Sequence, residues 1–193
     1  MERKGASVPI VTVLLVAILL IVIYGVVRMY SDKGTEVVLE TDKGDIVIKL
    51  YSDMPITAGN FQKLVEEGFY DGVLFHRVVE GFVIQGGDPL TKDSEKKSLW
   101  GTGGPGYTIK DEFPETYSHS NKLGTISMAN AGPNTGGSQF FINLQDNILL
   151  DDKHPVFGEV IEGMDVVDAI AHVETDSRDL PVEEIKIIRA YIR

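Results

Sequence analysis

One cation and one amide stand inside an otherwise apolar stretch, Phe75-His76-Arg77-Val78-Val79-Glu80-Gly81-Phe82-Val83-Ile84-Gln85-Gly86-Gly87-Asp88. An arginine among apolar neighbours is costly unless it is paired or put to use. Either Arg77 snorkels to the rim of a sheet or barrel, or Arg77 and Gln85 are directional donors aimed into one apolar pocket. The stretch alone leans slightly to the first. Other chemistry is excluded more firmly. Ser138 has neither a G-x-S-x-G frame nor a locally paired His, which argues against a hydrolase nucleophile. The glycines of Gly101-Thr102-Gly103-Gly104-Pro105-Gly106-Tyr107 precede no Lys-Ser/Thr pair and no helix. That excludes a phosphate loop, and suits tight turns or close approach of the backbone to a ligand. With no cysteine, disulfides, thiolate metal sites and a Cys nucleophile are all excluded.

The elements that position these residues can be read in chain order. Glu36–Thr41 and Asp45–Leu50 are strand-like, with a hairpin turn at Asp42-Lys43-Gly44. Ser52-Asp53-Met54-Pro55 opens a helix, with Asp53 as its cap candidate. Ala58, Phe61, Leu64 and Val65 keep helical spacing, and Gly68 ends it. Val78-Val79 and Phe82-Val83-Ile84 flank a turn at Glu80-Gly81 and predict a hairpin. Pro89–Trp100 is a polar surface loop in which Trp100 serves as a loop anchor or a pocket rim, with neither favoured. Leu123–Asn130, Gln139–Leu144, Val156–Val160 and Ile185–Ile192 read as strands. Met164–Ala171 reads as a short helix with Val166, Val167 and Ile170 inward. Many short strands and two helices predict a mainly β domain, a closed antiparallel barrel with helices at its open ends.

The whole chain sets further bounds. Its 193 residues suit one domain plus extras. Of the 18 Lys and Arg, four precede Gly34, as do two of the 29 Asp and Glu, so the remainder carries −13. That charge argues against a nucleic-acid partner. Val8 to Val27 is a run of 20 uncharged residues. As a helix it would reach about 30 Å, enough to cross a hydrocarbon core. The following Val26-Val27-Arg28-Met29-Tyr30 is a poor signal-peptidase site, so an uncleaved anchor is expected. Lys and Arg flank the run two against two. Orientation therefore rests on the short leading tail, expected to stay in the cytoplasm with the domain outside. The expected organisation is a tail at 1–7, a single transmembrane helix at 8–27 in the lipid bilayer of the cell membrane, a linker at 28–35 and a folded domain at 36–193.

Three separated segments supply a coherent set: Phe75-His76-Arg77 through Gly86-Gly87-Asp88; Ser127-Met128-Ala129-Asn130-Ala131-Gly132-Pro133-Asn134-Thr135 through Gly137-Ser138-Gln139-Phe140-Phe141; and His154 to Gly158. From about Val37 to Ile192 the chain resembles the cyclophilins, the peptidyl-prolyl cis-trans isomerases. The resemblance implies an eight-stranded antiparallel barrel capped by two α-helices, with no cofactor and no metal. It implies proline-containing peptides and unfolded or folding proteins as partners. It implies Arg77 as the catalytic residue and Phe82, Val83, Phe141, Leu150 and His154 as the lining of a proline pocket. Gln85, Gln139 and the backbone of Asn130 would bind the substrate backbone, and Gly101, Ala129 and Ala131 would border the groove. Leu149 stands where the best-known members carry a Trp that helps bind cyclosporin, Val83 replaces a common Met, and the Pro89–Trp100 loop is longer than in many relatives. His76, His119 and His172 are expected to be structural or surface residues. The alternative is a non-enzymatic peptide-binding or chaperone module on the same groove.

Overall fold

The computed structural model describes residues 12, 16–22, 34–113 and 119–193. Residues 12 and 16–22 are helical, and among the described residues no helix is long and apolar enough to cross a membrane. The rest of the expected 8–27 span, with the tail and most of the linker, lies outside the described residues.

Thr35–Arg193 is one compact unit. Its strands are β1 (Glu36–Thr41), β2 (Gly44–Leu50), β3 (Arg77–Val79), β4 (Val83–Gly86), β5 (Thr125–Met128), β6 (Phe140–Asn143), β7 (Val156–Glu162) and β8 (Ile187–Ile192). They form one antiparallel sheet in the order β3-β4-β6-β5-β7-β2-β1-β8. The expected eight strands are present, but the expected closed barrel is corrected to an open half-barrel. Edge strands β3 and β8 do not pair. The chain just before β3 meets the start of β8 through an isolated bridge, Leu74–Lys186, and three backbone bonds. These run from Gly72 N to Ile187 O (2.7 Å), Ile187 N to Val73 O (2.8 Å) and Phe75 N to Ile185 O (2.9 Å). By Val78 the chain has left β8, and its N–H bonds Asp179 O at 2.8 Å, in a loop. A strand of three residues that faces a loop cannot complete the ladder.

Two helices pack on the sheet: α1 (Thr57–Glu66) and α2 (Met164–Ala171). Phe61 of α1 is buried among Tyr70, Phe140 and Phe157, with ring centroids 5.0–5.5 Å apart. Each such ring contributes about 1.5–3 kcal/mol through burial alone. Val167 and Ile170 of α2 are fully buried, and Val166 packs against the core from its edge. The start of α1 departs from expectation. Asp53 does not cap it and instead bonds His119 Nε2 at 2.8 Å. The cap comes from far along the chain, where the Glu112 carboxylate accepts from Ile56 N at 3.0 Å and Thr57 N at 2.9 Å. An anionic cap satisfies otherwise orphaned N–H groups and suits the positive end of the helix.

Candidate functional site

Strand registry places the chemistry. Arg77 of β3 lies opposite Gln85 of β4, and Gln85 lies opposite Phe141 of β6. Side chains alternate faces along a strand. Ile84, Phe140 and Ile142 therefore enter the core, fully buried, while Arg77, Val83, Gln85 and Phe141 share the outer face. There they form a pocket of about 200 Å³ with Phe82, Ala129, Asn130, Leu150 and His154. Val83 and Phe141 are buried. His154 meets the Phe141 ring edge-on at 5.3 Å, and its Nδ1 lies 3.0 Å from Met128 O. A carbonyl only accepts, so that bond requires the proton on Nδ1 and orients the ring as a wall. Arg77 is 39 % exposed, with Nε 3.4 Å from the Asp179 carboxylate.

A second cavity of about 460 Å³ adjoins the first and shares Gln85, Ala129 and Asn130 with it. Gly101–Pro105, Ala131, Gln139 and neighbouring loop residues line it. Gln139 organises this side: its Nε2 donates to Gly101 O (3.0 Å) and Gly103 O (2.8 Å), and its Oε1 accepts from Gln85 Nε2 (3.0 Å). The side chain of Asn130 is engaged at both ends, Nδ2 donating to Lys153 O and Oδ1 accepting from Gly132 N. Leu149 lies outside both cavities and is 90 % exposed. The expected site residues thus fall into two adjoining cavities, Leu149 excepted.

Several organising residues carry no signal local enough to read from sequence. Asp88 is fully buried, and its carboxylate accepts from Leu90 N (2.7 Å), Gly101 N (2.6 Å) and Gly103 N (3.0 Å). One carboxylate therefore closes the base of the Pro89–Trp100 loop, which winds into two 3-10 turns, Pro89–Lys92 and Ser94–Leu99. Trp100 is a loop anchor: its Nε1 donates to Asp93 O at 3.2 Å, and Lys97 sits over its ring. Beneath the small pocket, buried Asn143 bonds Thr125 Oγ1 (3.0 Å), and Asn147 Nδ2 donates to Phe82 O (3.0 Å) and Asn143 Oδ1 (2.9 Å). Asn121 donates its backbone N–H to Asp151 Oδ1 at 2.7 Å. This network ties Phe82 and the 3-10 turn Ile148–Leu150 to the sheet.

Ser138 is buried, its Oγ donating to Gly87 O at 2.7 Å. His76 is buried beside Gly101 with neither ring nitrogen bonded, and burial holds its pKa below the ordinary imidazole value. His119 stacks on Tyr51 at 4.1 Å. Burial, then the Glu159 charge, pushes the Tyr51 hydroxyl up to about 12. His172 is exposed at the end of α2, raised by its bond to the Asp168 backbone and by the Asp168 carboxylate. Among the described residues no three His, Asp or Glu side chains come together to hold a metal ion.

An antiparallel half-barrel with helices packed on it thus carries, on one outer face, a small pocket edged by Arg77 beside a larger, loop-lined cavity. Residues 36–192 match the family described as cyclophilin type peptidyl-prolyl cis-trans isomerase/CLD, and the chain belongs to this family of enzymes. It is 48 % identical over 153 residues to the peptidyl-prolyl cis-trans isomerase ppi1 of Schizosaccharomyces pombe, covering 79 % of this chain and 95 % of that one. It is 46 % identical over 157 residues to peptidyl-prolyl cis-trans isomerase CYP71 of Arabidopsis thaliana, covering 81 % of this chain but spanning only 24 % of that longer protein. Among solved structures it is similar to the cyclophilin type isomerase of Cryptosporidium parvum in the presence of the dipeptide Ala-Pro. That match has a TM-score of 0.73 and 32 % identity, covering 82 % of this chain and 98 % of that one.

Proposed function

We propose that this chain accelerates rotation about X-Pro peptide bonds, with Arg77 as its catalytic residue. The observation that carries the reading is one guanidinium at the edge of a pocket of about 200 Å³ walled by Phe82, Val83, Phe141 and Leu150, which shares Gln85 and Asn130 with a larger cavity of about 460 Å³. Amide resonance sets a barrier of roughly 18–20 kcal/mol to the rotation. In the twisted transition state that resonance is lost and the prolyl nitrogen regains a lone pair. A guanidinium can donate to that nitrogen then, and much less well in the planar ground state. The interaction therefore favours the transition state selectively, without a covalent step or net proton transfer. Phe82, Val83, Phe141, Leu150 and His154 would hold the pyrrolidine ring while the preceding carbonyl turns. Gln85, Gln139 and the Asn130 backbone would hold the peptide on the groove side, with Gly101, Ala129 and Ala131 as its border. Leu149, outside both cavities, would touch only longer ligands.

The uncharged run from Val8 to Val27 supports a single-pass anchor, and the short leading tail is the ground for placing the isomerase domain outside the cytoplasm, where exported or membrane proteins would be its clients. Alkaline carbonate extraction and protease protection of the full chain test this. Retention in the membrane with a protease-accessible domain is expected, and release from it overturns the anchor.

The activity is tested with the full chain in detergent, following cis-to-trans conversion of a short X-Pro peptide. Loss of one positioned transition-state donor costs about 10²–10³-fold, so Arg77→Ala should lower kcat/KM by about that factor. A folded wild type that binds the peptide without accelerating it would instead favour a binding or chaperone module. Acceleration that survives Arg77→Ala would keep the function and overturn the role of Arg77.

A further inference from the structure

We infer that Asp179, in the loop between α2 and β8, is the positioning residue for Arg77; this inference rests on the isomerase reading above. Arginine reaches the pocket on a flexible stem, and its guanidinium is useful only when its plane and its Nη edge point at the reacting nitrogen. Its Nε is 3.4 Å from Asp179 Oδ2, and among the described residues no other carboxylate lies within ion-pair distance of Arg77. Contact at Nε biases the orientation of the fork and leaves the Nη edge to substrate.

The backbone supports the assignment independently. Asp179 has φ +62°, a left-handed conformation that glycine adopts more easily than any residue bearing a side chain. Aspartate and asparagine tolerate this conformation better than other side chains, so the loop can present a carboxylate here at small cost. The loop is built to hold it there. Asp179 N donates to Asp176 O (3.0 Å), the Asp176 carboxylate accepts from Leu180 N (3.1 Å), and Asp179 O accepts from Val78 N (2.8 Å). Because Val78 follows Arg77 directly, the carboxylate and the guanidinium it touches are fixed to one backbone junction.

The deciding variant is Asp179→Gly, which relieves the left-handed strain and removes the carboxylate. Positioning predicts that kcat falls about tenfold with KM nearly unchanged, while Tm holds or rises. Asp179→Asn keeps an acceptor at the same place and should restore most of the lost rate. Combined with Arg77→Ala, Asp179→Gly should add no further loss. Nitrogen relaxation at the Arg77 Nε–H of the full chain in detergent gives a readout that needs no turnover: the bond becomes more mobile in Asp179→Gly. Wild-type mobility and kcat in Asp179→Gly would overturn the inference. So would activity and stability falling together, which marks a purely structural loop. An isomerase reading that fails shows itself separately, as absent acceleration by wild type whatever the relaxation data report.

Discussion

The two adjoining cavities are built differently. The smaller one takes Arg77, Val83, Gln85 and Phe141 from three hydrogen-bonded strands, over a fully buried layer of Ile84, Phe140 and Ile142. The larger one is lined mainly by loops, held from below by the Asp88 carboxylate and across by the Gln139 amide. A strand-borne side chain is fixed by many neighbours at once, whereas a glycine-rich loop is fixed by a few polar contacts that can be lost singly. The small pocket is therefore suited to a rate effect that needs exact placement. The groove is suited to holding varied peptide backbone. The same contrast marks where sequence variation should be harmless: the Pro89–Trp100 loop can change in length so long as Asp88 still clamps both of its ends.

The sharpest way to break this contrast is Arg77→Lys, which keeps the charge and loses the planar fork. Its kcat should fall by about 10²-fold with KM within about twofold, measured by line-shape analysis of an exchanging X-Pro peptide. A lysine enzyme of near wild-type speed would mean that charge alone suffices, and the argument from strand-fixed geometry would fail. On the groove side, Asp88→Ala leaves three backbone donors without their acceptor and should cost about 2 kcal/mol of stability, read from urea denaturation. The same variant should raise KM, because Gly101 and Gly103 lose their clamp. A smaller change comes from Gln139→Ala, which unties the loop from Gln85. There KM should rise about threefold and kcat should barely move. If Gln139→Ala lowered kcat as deeply as Arg77→Lys, the two cavities would be one catalytic unit.

What could be read from the sequence divides along the same line. Local periodicity places β1, β2, the β3–β4 hairpin and the whole of α2. The pairing of Arg77 with Gln85 is not among these: the stretch alone leans to an arginine at a rim, and it is the strand register that puts the two on one face. The pocket as a set was legible only through its resemblance to a family, because its segments are distant in the chain and no spacing rule joins Phe82 to Leu150 or His154. The organising contacts were not legible. Asp88 looks like a turn residue after two glycines, yet it binds N–H groups 13 and 15 residues on. Glu112 caps a helix 55 residues earlier, which left Asp53 as the obvious and mistaken candidate. Whether the barrel closes depends on how residues 72–75 meet 185–187, a register no local pattern encodes.

The smallest expected effect concerns His76, on the boundary between strand-built and loop-built regions, beside both Arg77 and Gly101. Its ring is buried with both nitrogens unbonded, so the folded state resists its protonation and its pKa lies below the ordinary value. The sign follows from linkage. As pH falls through about 6.5 the unfolded chain takes up a proton that the folded chain does not. Stability is thus lost progressively below that point, until the folded state also protonates. His172 runs the other way, since its raised pKa stabilises the fold at low pH, but its exposure keeps that contribution small. Replacing His76 by Leu removes the titration and keeps the site filled. Thermal melts from about pH 7.5 to about pH 5 should show wild type losing Tm faster than His76→Leu. Because the carboxylates and His172 are common to both proteins, the difference between the curves isolates His76. Parallel curves would mean that the ring is hydrated or bonded in solution, and that the strand layer under Arg77 is less dry than its burial implies.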